Sequence, residues 1–142
     1  MDDYDNSYMG VYYPAIKVYD INLQRYIWLP SICQVLGAYA YNDKIGQYWL
    51  APAGFNRAAL DSVKEVKVRL NQDQRAKLYD SRINPIALFP NLGYVVWGQK
   101  TTQKKETALN RINVRRLVIR IKRFINTLGL GLLFEPNTQV LW

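Results

Sequence analysis

The chain of 142 residues contains no histidine and a single cysteine, Cys33. Without histidine it lacks the commonest general base and the commonest zinc ligand. One cysteine excludes an internal disulfide and any cysteine-rich metal site. The motifs GxxxxGK[ST], GxGxxG and GxSxG are also missing. We therefore predict that the protein is not an enzyme and that it uses no metal or other cofactor. Cys33 follows apolar residues and is predicted to be a core residue.

Long apolar runs are missing as well, and the acidic start of the chain is unlike a signal peptide. We therefore expect no membrane partner. Hydrophobic residues make up 49% of the chain and charged residues 21%, a composition typical of globular proteins. The length suits one domain, predicted over residues 1–142, that is large enough to bury a core.

Positive charge is concentrated near the end of the chain. Residues 101–142 hold eight Lys and Arg against Glu106 and Glu135, so they supply +6 of the net charge of +8. A basic patch of this kind attracts nucleic acid, an anionic membrane or an acidic protein surface. The charge alone does not distinguish among these partners.

The basic region contains the clearest secondary-structure pattern in the chain, at 113–131. At about 100° per residue, its apolar side chains fall in one arc: Val114, Leu117, Val118, Ile121, Phe124, Ile125 and Leu128. This pattern predicts a long basic amphipathic helix (113–130) whose apolar arc packs on the sheet.

Basic residues occupy the opposite arc of this helix, and Ile119 lies among them. In one interpretation this face is simply solvated and carries one surface isoleucine, which is common. The sharper interpretation is a contact surface for a partner. The candidate partner interface consists of Arg115, Arg116, Ile119, Arg120, Lys122 and Arg123.

The remaining elements predict an α+β fold, with a mixed sheet flanked by helices. Strands are predicted in the second half of 9–20 and at 66–70, 86–89 and 93–98, the last as a central strand. Helices are predicted from residue 31 to about residue 43 and from 71 to 80. Between them, Trp49 and Leu50 are expected to be held against the core, and 135–138 resembles a helix cap.

Several segments carry a family resemblance. In chain order they are LPSICQVLGAYAYND (29–43), WLAPAGFNR (49–57), NPIALFPNLGYVVWGQKT (84–101), ALNRINVRRLVIRIKRFI (108–125) and LFEPNT (133–138). This series resembles the tail sheath proteins of contractile bacteriophages. The resemblance extends from about Tyr12 onward, and its strength lies in the order and spacing of the segments.

The resemblance implies a virion structural protein of the phage tail, assembled in the host cytoplasm. Its partners would be other sheath subunits, stacked in six-fold rings, and the inner tail tube, which contraction drives through the host envelope. It also implies an inner, assembly-forming α+β domain whose terminal arms add strands to neighbouring subunits. Both arms are expected to be missing here, so the domain is expected to be truncated at both ends.

A small nucleic-acid-binding module that uses the 113–130 helix is the alternative. The charge and the Arg/Lys spacing favour it. No recognised binding motif occurs, however, and aromatic residues are not interleaved with the basic ones on that face. With the resemblance included, the sheath interpretation is favoured and nucleic acid is not expected as a partner.

Overall fold

The computed structural model describes residues 4–45 and 48–134, which form two small sheets and three α-helices. The strands are β1 (Val11–Tyr13), β2 (Ile16–Asp20), β3 (Arg25–Leu29), β4 (Val63–Val66), β5 (Ile83–Phe89) and β6 (Gly93–Val96). The helices are α1 (Ile32–Lys44), α2 (Gln72–Asp80) and α3 (Ile112–Gly131), with a 3-10 turn at Ala108–Asn110 before α3. β1 pairs parallel with β5, whereas the other strand pairs are antiparallel. The predicted α+β class with a mixed sheet is confirmed.

The first sheet has the order β1-β5-β6, and β6 is its most apolar strand. Tyr94, Val95 and Val96 are buried. The backbone around residue 59 covers the outer edge of β6, because the Leu60 amide donates to Tyr94 O at 2.8 Å and the Val96 amide donates to Ala58 O at 3.0 Å. The prediction of a central strand is therefore wrong: β5 is the central strand of this sheet, and β6 is its last strand, bordered by a single isolated bridge between Ala59 and Val95.

A buried side chain, Asn84 on β5, ties this sheet to the segment that leads towards α3. Its Nδ2 donates to Val11 O at 3.1 Å and to Lys100 O at 2.8 Å. Its Oδ1 accepts from the Lys100 amide at 2.7 Å. A Cβ added at Gly98 would lie 2.8 Å from that oxygen, so only glycine allows this close approach. The strand predicted at 86–89 therefore begins earlier, at Ile83, because Asn84 is paired within it.

The second sheet has the order β3-β2-β4 and supplies much of the core. Its buried residues pack with α1 and β6 in one cluster that includes Ile16, Val18, Val35, Val63, Val66, Ile86 and Val96. The strand predicted at 66–70 was misplaced, since it occurs at Val63–Val66. Val63 and Val66 are the residues that reach the core, whereas Val68 is exposed.

The two shorter helices begin where the sequence predicts. α1 follows Pro30 and buries Val35, Ala38 and Asn42. α2 has a capping box at Asn71, whose Oδ1 accepts from the Gln74 amide at 2.8 Å while Gln74 Oε1 accepts from the Asn71 amide at 3.0 Å.

Two burial predictions are wrong. Cys33 is exposed on α1, because Val35 and Ala38 are the residues of that helix that face the core. Trp49 is 53% exposed, although its carbonyl is held by Asn113 Nδ2 at 2.9 Å. The cap predicted at 135–138 lies outside the described residues. Within the described ranges, no helix is both long and apolar enough to cross a bilayer.

Candidate assembly interface

Helix α3 runs over Ile112–Gly131, as predicted, but its two arcs do not separate into one buried and one exposed side. The buried residues of this helix are Ile112 and Arg115. Together with Arg116 and Ile119, they form one ridge at spacings i, i+3, i+4 and i+7, and all four line a cleft against the domain. The prediction that the whole apolar arc packs on the sheet is wrong, because Ile121 and Ile125 are exposed, whereas Val114, Leu117 and Val118 in the first half are half-buried.

Arg115 is 8% exposed and is held by residues near the start of the chain. One of its terminal nitrogens donates to Ser7 Oγ, and its guanidinium carbon lies 4.1 Å from the ring centroid of Tyr8. This is a cation–π contact between a buried guanidinium and a ring that is itself 64% exposed. Nε of Arg115 is buried without a hydrogen-bond partner, so the ring contact and the serine together hold this cation.

Arg116 contacts α1. Its Nη2 forms an ion pair with Asp43 Oδ1 at 2.5 Å, and its guanidinium carbon lies 4.6 Å from the Tyr39 ring centroid. The Tyr39 hydroxyl is hydrogen-bonded to that of Tyr12. Burial raises the pKa of both tyrosines above the ordinary value of about 10. Both phenols are therefore neutral near pH 7, and the Tyr39 ring presents its negative face to a cation.

Ile119 has a structural reason to be apolar. It lines a cleft of about 320 Å³ whose walls include Tyr8, Tyr39, Arg115 and Arg116. Arg120, one residue on, is exposed and stacks over Tyr48 at 4.9 Å. The first half of α3 therefore attaches to the domain through three cation–aromatic pairs with Ile119 among them.

Beyond Arg120 the helix extends away from the domain, and every residue from 120 to 131 is exposed. Lys122 and Arg123 lie in this extension. Of the six predicted interface residues, Arg115, Arg116 and Ile119 contact the domain itself and Arg120 is stacked on it. The premise that all the basic residues form a solvent-facing surface is therefore wrong. Sequence reasoning missed the rings of Tyr8, Tyr39 and Tyr48, whose only signal was the high tyrosine content.

An apolar surface is exposed on this extension together with Lys122 and Arg123. We call it the α3 stripe and define it as Ile121, Phe124, Ile125 and Leu128, which are 45%, 63%, 60% and 55% exposed. Their spacing of i, i+3, i+4 and i+7 puts them on one side of the helix. A helix that leaves four large apolar side chains of one face exposed has the pattern of an interaction surface.

The described residues offer no arrangement suited to catalysis by a metal. Within 4–45 and 48–134, no group of three or more His, Cys, Asp or Glu side chains lies close enough together to hold an ion.

Residues 3–102 match the family model described as the phage tail sheath protein central domain. The chain belongs to this phage tail sheath family, which confirms the resemblance seen in the sequence.

Individual relatives agree with this assignment. The chain is similar to the tail sheath protein of Vibrio phage KVP40, with 38% identity over 121 residues, or 85% of the chain. It also resembles the helical sheath of the anti-feeding prophage in the contracted state, with a TM-score of 0.81 and 34% identity over 96% of the chain. A contracted sheath complex of an extracellular contractile injection system (PVC) gives a TM-score of 0.83 with 31% identity over 96% of the chain.

The chain spans a minor part of these relatives. It covers 18% of the Vibrio phage protein, 37% of the anti-feeding prophage chain and 36% of the injection-system chain. The relatives named are sheath components, and they give no support to the nucleic-acid-binding alternative.

Proposed function

We propose that this chain is a domain of a contractile tail sheath subunit, which polymerises with copies of itself around a tail tube. The observation that carries the proposal is the superposition of 96% of the chain on a contracted helical sheath subunit at 34% identity. Contraction of such a sheath would drive the tube through the host envelope. The role is structural, without catalysis or a cofactor, and its place is the phage virion, assembled in the host cytoplasm.

Within that role, we propose that the extension of α3 carries the partner contacts first expected of the whole basic arc. Lys122 and Arg123 are exposed cations, and Arg120 is exposed beside them. They are available to an acidic surface of a neighbouring subunit or of the tube. Exposed ion pairs contribute roughly 0–1 kcal/mol each, which suits a contact that must hold and then release. Arg115 and Arg116 support this surface by fixing the base of the helix.

The proposal is tested by producing the chain with the sheath and tube proteins of a tail from the same source. Purified tails are examined by electron microscopy and by mass spectrometry of their subunits. We expect the chain to be retained in the sheath, and the variant Lys122→Glu with Arg123→Glu to be lost from it. The matched control reverses two exposed lysines elsewhere, Lys64→Glu with Lys105→Glu, and should be retained. A wild-type chain that never enters the sheath would overturn the proposed function.

A further inference from the structure

The α3 stripe exposes enough apolar surface to account for a stable protein contact. With about 200 Å² for each large apolar side chain, the four exposed fractions correspond to on the order of 450 Å². A standard interface buries about 800 Å² on each partner, and about 57–65% of that area is apolar. The stripe therefore matches the apolar content of one side of a standard interface.

A second apolar surface lies elsewhere on the same chain. A groove of about 710 Å³ opens between the β1 region and the end of β3, with walls that include Tyr13, Pro14, Trp28, Leu29 and Ile32. Trp28 is 46% exposed there, and Tyr13 and Ile32 are also exposed. The groove is lined by residues other than those of the stripe, so one chain carries two distinct apolar surfaces.

We propose that the α3 stripe of one copy docks in this groove of a second copy. An amphipathic helix laid in an apolar groove is a common recognition mode, with anchors at i, i+3, i+4 and i+7. The stripe supplies these four anchors, and Phe124 is its largest. Trp28 and Tyr13 give the groove aromatic walls of the kind enriched at interface hot spots.

Because the two surfaces differ, the contact is heterologous. Such contacts join copies head to tail and form rings or open helical polymers, whereas an isologous contact stops at a dimer. The biological meaning of this pairing rests on the proposed sheath function, since a helical sheath requires head-to-tail contacts. The pairing itself is a property of the isolated chain and can fail while the sheath function stands.

Charge places a further condition on the contact. Lys67 lines the groove, and Arg120 and Lys122 flank the stripe, so cations border both surfaces. Salt screens like charges. Added salt should therefore strengthen the association of two copies, whereas it would weaken docking of the stripe on an acidic partner.

The experiment compares the full chain with two double variants and one single variant. Association of each protein is measured by analytical ultracentrifugation at micromolar protein concentrations. The stripe variant is Ile121→Ser with Ile125→Ser, and the groove variant is Trp28→Ser with Ile32→Ser. The control is Ile21→Ser, at an apolar residue that is 81% exposed and lies outside both surfaces. Circular dichroism and urea unfolding confirm that each variant is folded before it is compared.

We expect the wild-type chain and the control to associate, and each double variant alone to associate at least about tenfold more weakly. An equimolar mixture of the two double variants should form a one-to-one dimer and nothing larger. In that mixture the stripe variant still offers a groove and the groove variant still offers a stripe, so a single contact remains.

Three results would overturn the proposal. One is a wild-type chain that stays monomeric across the range while folded. Another is association lost in the stripe variant but kept in the groove variant, which would mean that stripes pair with each other. The third is a mixture of the two variants that behaves as separate monomers. None of these results bears on whether the chain enters a sheath, which the retention of the chain in purified tails tests separately.

Discussion

The burial of Arg115 and the exposure of Ile121 predict that this arginine matters more for folding than the isoleucine of the α3 stripe. We compare Arg115→Ala with Ile121→Asp. Arg115 is buried and contacts Ser7 and Tyr8, whereas Ile121 is almost half exposed on the extension of the helix. A core-facing apolar arc would give the opposite ranking, because Asp at position 121 would then bury an unpaired charge.

The magnitudes follow from the contacts. A hydrogen bond from a charged donor contributes about 1.5–3 kcal/mol, and a cation–π contact to an exposed ring such as Tyr8 about 0.5–1 kcal/mol. Part of this is offset because removing Arg115 also removes its unpaired buried Nε. We therefore expect Arg115→Ala to lower the free energy of unfolding by about 2 kcal/mol. Ile121→Asp loses helix propensity and partial contacts, which together amount to less than about 1 kcal/mol.

Urea unfolding and thermal melting, both followed by circular dichroism, measure the free energy of unfolding and the Tm of both variants. Both are performed in dilute solution, so that association through the stripe does not contribute. For a domain of this size each kcal/mol shifts Tm by about 2–4 °C, so Arg115→Ala should melt about 4–8 °C lower. Arg115→Lys is the matched control, which keeps the charge but loses the planar ring contact and should be intermediate. If Ile121→Asp proved more destabilising than Arg115→Ala, the inward position of the arginines would be refuted.

Three further predictions concern the core, the tyrosine pair and nucleic acid. Asn84→Ala should lower the free energy of unfolding by roughly 2–4 kcal/mol, because Val11 O and the amide and carbonyl of Lys100 lose their hydrogen bonds to this side chain. An unchanged urea midpoint would contradict this. Burial raises the pKa of Tyr12 and Tyr39 above that of tyrosine in the unfolded chain, which ionises near pH 10. The free energy of unfolding should therefore be unaffected by these groups below about pH 10 and should decrease as the pH rises further. In Tyr12→Phe the urea midpoint should decrease less steeply with pH over that range, because one buried phenol is missing. An equally steep decrease would contradict the role given to Tyr12 and Tyr39. Duplex DNA should bind weakly, and the plot of log binding constant against log salt concentration should have a slope no steeper than about −3, since Arg120, Lys122 and Arg123 are the exposed cations of α3. Tight binding in a salt titration would support the nucleic-acid alternative.

Local signals predicted much of this fold. Asn71 with Gln74 marks the start of α2, and the glycine-bounded GYVV run marks β6, because capping and β propensity act within a few residues. The bounds of α3 were equally predictable from its unbroken periodicity. Such signals do not depend on which distant parts of the chain come into contact in the folded domain, so predictions based on them agree with the structure.

The direction in which α3 faces could not be predicted in the same way. Periodicity identifies two opposite arcs but does not say which one meets the domain, since that depends on what the rest of the fold presents. Here it presents tyrosine rings and the carboxylate of Asp43, which suit Arg115 and Arg116. The rule that apolar residues lie inside holds only in one direction, because much of the surface of a folded protein is also apolar.

The position of the α3 stripe connects folding to assembly. The base of the helix is fixed by buried contacts, but its exposed extension, about twelve residues long, is near the length below which a helix is marginal in water. Covering the stripe with a second subunit would bury the four side chains that a single copy leaves in contact with solvent. At about 25 cal/mol per Å², burying on the order of 450 Å² is worth roughly 11 kcal/mol before the costs of association and side-chain ordering are subtracted. The proposed contact between copies would therefore cover the apolar surface that the folding of a single copy leaves exposed.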